Sequence, residues 1–117
     1  MTLHERWIGD VTIIDIDGRM IVEDGADLFR DSVRQLVRQD RVKLVVNFHG
    51  VPYIDSTALG EVVRAYTSVA RKGGALKLLN VTARVQELLV VTRLLAIFDL
   101  FDDEAEALKS FGAQAGR

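Results

Sequence analysis

The chain of 117 residues carries 15 Lys and Arg against 17 Asp and Glu, 49 % hydrophobic residues and no cysteine. That length and apolar content suit one globular domain with a real core, not a disordered or collagen-like chain. The near-balanced charge leaves little electrostatic footprint for nonspecific nucleic-acid binding, and the missing cysteine excludes disulfides, thiolate catalysis and cysteine-based zinc sites.

Residues 1–6 lack a basic start followed by an apolar stretch, so no secretory signal is read there. The first two strands are expected at residues 4–8 and 11–16, joined by the turn dipeptide Gly9-Asp10. Strand alternation puts Val11 and Ile13 on one side of the second strand, and Ile14 and Ile16 on the other. Asp17-Gly18 closes that strand. Phe29, Val33, Leu36 and Val37 then fall on one stripe of a helix, with Asp24 as candidate N-cap and Asp27 in the first turn. Residues 43–48 form a short, β-branched, continuous apolar run, the signature of a buried strand. A loop over 49–55, with a brief extended piece, leads into a second helix. Its stripe is Leu59, Val62, Val63 and Tyr66, and Lys72-Gly73-Gly74 stops it. Residues 75–79 are another apolar strand. A third helix is expected over 82–92, with Thr82 as N-cap, Val85, Leu88 and Leu89 inward, and Arg84, Gln86 and Glu87 outward. Residues 94–101 hold a turn and a short last strand, and 102–111 a final helix with acidic residues at its start.

The order β-β-α-β-α-β-α-(β)-α implies an α/β domain. Its sheet is mixed but mostly parallel, opened by an N-terminal hairpin and covered by about four α-helices. Residues 1–117 are expected as one domain with an ordered core over about 3–111 and a fraying tail from Gly112. The longest nearly uncharged apolar run, 94–98, is too short to cross a bilayer. A cytoplasmic protein without membrane insertion is expected. Two histidines are too few for a His-based metal cluster, and no cofactor is expected.

One segment has unusual chemistry: Tyr53-Ile54-Asp55-Ser56-Thr57-Ala58-Leu59-Gly60. Asp55, Ser56 and Thr57 sit where a loop enters a helix. Asp and Ser are favoured N-caps, so a helix start alone accounts for them. The same geometry serves function, because free backbone N–H groups and the helix dipole would hold a phosphate on Ser56. That phosphate adds roughly −1.5 to −2 charges at pH 7. Val51, Pro52, Tyr53 and Ile54 nearby would suit a partner's docking surface. Both hydroxyls, Ser56 and Thr57, lie at this helix start.

Asp55-Ser56-Thr57-Ala58-Leu59-Gly60 resembles the Asp-Ser-[Ser/Thr]-Gly-Leu-Gly motif of the STAS family, the bacterial anti-sigma factor antagonists. The resemblance extends over nearly the whole chain. It includes Asp17-Gly18, Leu44-Val45-Val46-Asn47-Phe48, Val51 through Gly60, and Gly73-Gly74-Ala75-Leu76-Lys77-Leu78. It continues through Val85-Gln86-Glu87-Leu88-Leu89, Leu94, Phe98, and the segment from Phe101 to Leu108. The resemblance implies the STAS fold and partner switching. The dephosphorylated antagonist binds an anti-sigma factor that is also a GHKL-type serine kinase, which frees the sigma factor. The kinase phosphorylates the first Ser of the motif, here Ser56, with Thr57 the second candidate, and the complex separates. A PP2C-type phosphatase restores the antagonist. Asp55 would hold the loop and helix start. Tyr53, Ile54, Asp55, Ser56, Thr57 and Ala58 would meet the partner. Ala58 stands where the motif has Gly, and its methyl is expected to narrow the kinase's approach. Ile21-Val22 stands where such antagonists often carry an acidic residue.

Other readings differ in class. A Ser hydrolase needs a base near Ser56, yet the histidines are only His4 and His49, and no Gly-x-Ser-x-Gly elbow is present. No enzyme is therefore expected. Gly73-Gly74 lacks the Lys-Ser/Thr context of a phosphate loop. A STAS scaffold or adaptor subunit, of stressosome or lipid-transport type, would use the same fold without the switch.

Overall fold

The computed structural model describes residues 1–112. Strands β1 (Thr2–Ile8), β2 (Val11–Asp17), β3 (Lys43–Gly50), β4 (Ala75–Leu79) and β5 (Leu100–Phe101) form one sheet in chain order. The helices are α1 (Ala26–Arg38), α2 (Ser56–Arg71), α3 (Ala83–Val91) and α4 (Glu104–Lys109). β1 runs antiparallel to β2, and every later pair is parallel. This is the mixed, mostly parallel sheet that the element order implied.

The alternation of the strands sorts the core into two layers. Ile14, Ile16, Leu44, Val46, Leu76 and Leu78 face α1, α2 and α3. Phe29 and Leu36 of α1, Val62 and Val69 of α2, and Leu89 of α3 close that layer. Val11, Ile13, Val45 and Leu79 face the other way, under Ala107 of α4 and Phe111. Burying each such large side chain contributes about 1.5–3 kcal/mol. Among the described residues, no helix is long and apolar enough to cross a membrane.

The open end of the second layer is polar. Arg6 donates to Asp15 at 2.6 and 3.0 Å, and Asn47 Nδ2 donates to Asp15 at 2.8 Å. Burial alone would raise the Asp15 pKa, but the hydrogen bonds from Arg6 and Asn47 and the Arg6 charge hold it below the usual carboxylate value. Arg6 also donates to Glu104 at 2.8 and 3.1 Å, which fastens α4 to β1.

Several expectations need correction. β1 starts at Thr2, β2 and β3 run on to Asp17 and Gly50, and α4 is shorter than 102–111. Asp24 does not cap α1. The N-cap is Gly25, at φ 101°, a left-handed conformation that glycine adopts without steric penalty. Asp24 instead receives the Met1 ammonium at 3.0 Å. Thr82 holds the N-cap position of α3, but its hydroxyl donates to the Val51 carbonyl at 3.0 Å and caps nothing. Glu104, one of the acidic residues at the start of the last helix, pairs with Arg6. Trp7 lies on the edge strand, 54 % exposed, with the Arg41 guanidinium 4.0 Å from its ring centre. Of the tail expected to fray, residues 113–117 lie outside the described residues.

Candidate functional site

β3 delivers the chain to the site. After Gly50 the loop is stitched to the segment that follows β2. Met20 N–H donates to the Tyr53 carbonyl at 3.0 Å, and Asp55 N–H to the Met20 carbonyl at 3.2 Å. Asp55 then caps α2. Its Oδ1 accepts the Ala58 N–H at 2.7 Å and its Oδ2 accepts the Val22 N–H at 2.9 Å. One carboxylate thus satisfies a free N–H of the helix start and a second N–H in the neighbouring loop. Ser56 and Thr57 are the first two residues of α2. Both are exposed, and both stand outside that cap bond.

The segment has an inner and an outer side. Val51 and Ile54 are core residues, 0 % and 4 % exposed, so their side chains are not the docking surface expected of them. Ala58 is fully buried. Its methyl faces the core and does not narrow the approach to Ser56. The outer side is made of Pro52, Ser56 and Thr57, with Tyr53 and Asp55 half-buried. Gly60 is open: a Cβ there would meet only Arg64 Nη1, at 3.8 Å.

The structure adds a second wall. Tyr53, Ile54, Asp55 and Ser56 share a groove of about 530 Å³ with Arg84, Glu87, Leu88 and Val91 of α3. Two guanidiniums approach the Tyr53 ring centre, Arg19 at 5.5 Å and Arg84 at 5.6 Å. Sequence reasoning placed Arg84 and Glu87 outward but missed that outward here means toward Ser56. An outward helix face carries no signal of which loop it meets. Neither His4 nor His49 lines this groove. Among the described residues, no three His, Asp or Glu side chains converge as metal ligands.

Comparison with known proteins shows the family and the fold. The family model of the STAS domain matches residues 6–107. A proposed anti-sigma factor antagonist of Thermotoga neapolitana is 30 % identical over 105 residues, covering 89 % of this chain and 92 % of that one. The crystal structure of a proposed anti-sigma factor antagonist from Thermotoga maritima superposes with a TM-score of 0.87 at 26 % identity, covering 92 % of each chain. The anti-sigma factor antagonist SpoIIAA in its unphosphorylated form shares the fold, with a TM-score of 0.72 at 16 % identity over 93 % of this chain and 96 % of that one. The phosphorylated form of SpoIIAA from Bacillus, also at 16 % identity, covers 93 % of this chain and 98 % of that one, with a TM-score of 0.76. This chain belongs to the STAS domain family, and its relatives there are anti-sigma factor antagonists.

Proposed function

We propose that the chain is an anti-sigma factor antagonist switched by phosphorylation at Ser56. Unmodified, it binds an anti-sigma factor that is also a GHKL-type serine kinase, and so frees a sigma factor. Phosphorylation ends the complex, and a PP2C-type phosphatase resets it. The domain itself is a binding module in the cytoplasm, not an enzyme.

The observation that carries this reading is the division of labour at the start of α2. Asp55 does the capping, so Ser56 is exposed without a structural task at that helix start. A phosphate there would add roughly −1.5 to −2 charges beside free helix N–H groups. Arg84 lines the same groove and offers a cation. Tyr53, Leu88 and Val91 give the groove an apolar side that a partner can cover. A partner surface shaped for a neutral hydroxyl must then desolvate a dianion, which breaks the complex. Thr57 is the second acceptor candidate, one position further along the same exposed turn. Ile54 and Ala58 hold the segment from inside.

The test is phosphosite mapping by mass spectrometry on protein recovered from its native cells, beside Ser56→Ala and Thr57→Ala versions. Phosphate at Ser56, lost only in Ser56→Ala, supports the switch. Phosphate lost only in Thr57→Ala moves the acceptor by one residue. Phosphate at neither position under any growth or stress condition refutes the switch and favours a scaffold or adaptor role. Ser56→Asp should bind the kinase more weakly than wild type, and Ser56→Ala should bind it and not let go.

A further inference from the structure

A second surface lies on the seam between α1 and α2. Arg30, Arg34 and Arg38 recur every fourth residue along α1, one row on one flank. Arg64, Ser68 and Arg71 form the facing row on α2. Two adjoining cavities of about 100 and 230 Å³ run along this seam and share Val33, Arg34 and Ser68. Their floor is Val33, Val37 and Ala65, and four arginines, Arg30, Arg34, Arg38 and Arg64, rise at their walls.

The charge balance here is lopsided. The acidic residue in the seam is Glu61, paired with Arg64 at 3.0 Å. Asp31 lines a groove with Glu5 and Trp7 on the other flank of α1 and forms an ion pair with Arg30, which leaves Arg34, Arg38 and Arg71 without an acidic partner among the described residues. Outside the five arginines of the two rows, ten basic residues stand against 17 acidic ones in the whole chain. Two polar atoms of the seam, Arg30 Nε and Glu61 Oε1, are buried with no hydrogen-bond partner among the described residues. Arg30 Nε faces Asp31 at 3.5 Å without hydrogen-bonding geometry. Buried polar atoms are rarely left unpaired, and each unpaired one costs free energy.

We infer that the α1–α2 seam is a docking site for a short acidic amphipathic helix of a partner protein. Charge complementarity names the occupant. Arginine forks bind carboxylates in bidentate pairs. The row of arginines advances about 6 Å per step, the spacing of carboxylates placed every fourth residue on a second helix. Val33 and Ala65 are themselves buried, so the partly exposed Val37 and the aliphatic stems of the arginines receive that helix's apolar side chains. Duplex DNA and anionic membranes are extended polyanions, which the acidic remainder of the chain repels. The surface is independent of Ser56 and needs no phosphorylation.

The experiment titrates the isotope-labelled full chain with a synthetic helical peptide about four turns long, carrying Glu at every fourth position and Leu on the adjacent stripe. A peptide of the same composition in scrambled order is the control. Amide shifts should be confined to the α1 and α2 flanks. Affinity should fall about tenfold or more in Arg30→Gln/Arg34→Gln/Arg64→Gln, weaken with added salt, and stay unchanged in Ser56→Ala. Because Arg30 is partly buried, Arg34→Glu/Arg64→Glu provides a second variant. It should lose the Glu peptide and gain the Lys version of it. The inference is overturned by equal binding of the scrambled peptide or by undiminished affinity in the variants. It is also overturned by an absence of shifts at α1 and α2. Tighter binding of duplex DNA, or of vesicles of equal parts phosphatidylglycerol and phosphatidylcholine, overturns it in favour of that ligand.

Discussion

Replacing Asp55 and Ser56 separately by Ala discriminates between a helix start that merely needs a cap and one that leaves an acceptor free. Asp55→Ala removes the acceptor of the Ala58 N–H at 2.7 Å and of the Val22 N–H at 2.9 Å. Loss of an N-cap costs about 1 kcal/mol. Loss of a hydrogen bond to a charged group costs about 1.5 kcal/mol more. The expected total is about 2–3 kcal/mol, against the 5–15 kcal/mol by which such domains are usually stable. The variant should therefore fold and unfold at lower urea concentration with an unchanged slope. Ser56→Ala should stay within about 0.5 kcal/mol of wild type, because the hydroxyl is exposed and outside the cap. Asp55→Asn should fall between, since its amide NH₂ must face one of two N–H donors. Urea titrations followed by circular dichroism measure all three. If Ser56→Ala costs as much as Asp55→Ala, Ser56 is structural and the free-acceptor reasoning fails.

Gly60→Ala should stabilise the protein by about 1 kcal/mol, since α2 is continuous there and the added methyl meets only Arg64 Nη1 at 3.8 Å. A lower melting temperature for this variant would show that the site is crowded. Asp15 has its pKa lowered in the folded state, so its contribution is present above about pH 4 and fades as pH falls through the folded value. Asp15→Asn should cost about 1 kcal/mol at neutral pH, discounted for partial exposure, and should flatten the acid loss of stability. An acid limb as steep as wild type refutes that assignment. Trp7, the one tryptophan, is 54 % exposed under Arg41, so its emission should be solvent-like and readily quenched by acrylamide in the native state. A blue, shielded emission would contradict the edge position.

The sheet was legible because alternation and helical period act within a few residues. Val11 and Ile13 against Ile14 and Ile16 needed only the strand period. The start of α2 was legible too, because Asp55 caps its own helix. What stayed hidden depends on distant partners. The N-cap is Gly25, and Asp24 instead binds the Met1 ammonium, 23 positions away in the chain. Val51 and Ile54 looked like an exposed apolar loop, and only their burial in the folded chain shows them turned inward. Likewise the wall that α3 adds to Ser56, and the tie between Arg6 and Glu104, join residues far apart in the chain.

The strands lie side by side in the order in which they occur in the chain. No strand has to insert between two already paired. A chain emerging from the ribosome can therefore add each strand, and the helix that follows it, to an edge that is already waiting. Among the described residues, one side-chain pair is hydrogen-bonded across nearly the whole length, Arg6 to Glu104, 98 positions apart. It cannot form until the last helix has been made. The layer covered by α1, α2 and α3, which presents Ser56, can thus assemble early in synthesis, and the layer under α4 closes as the final act.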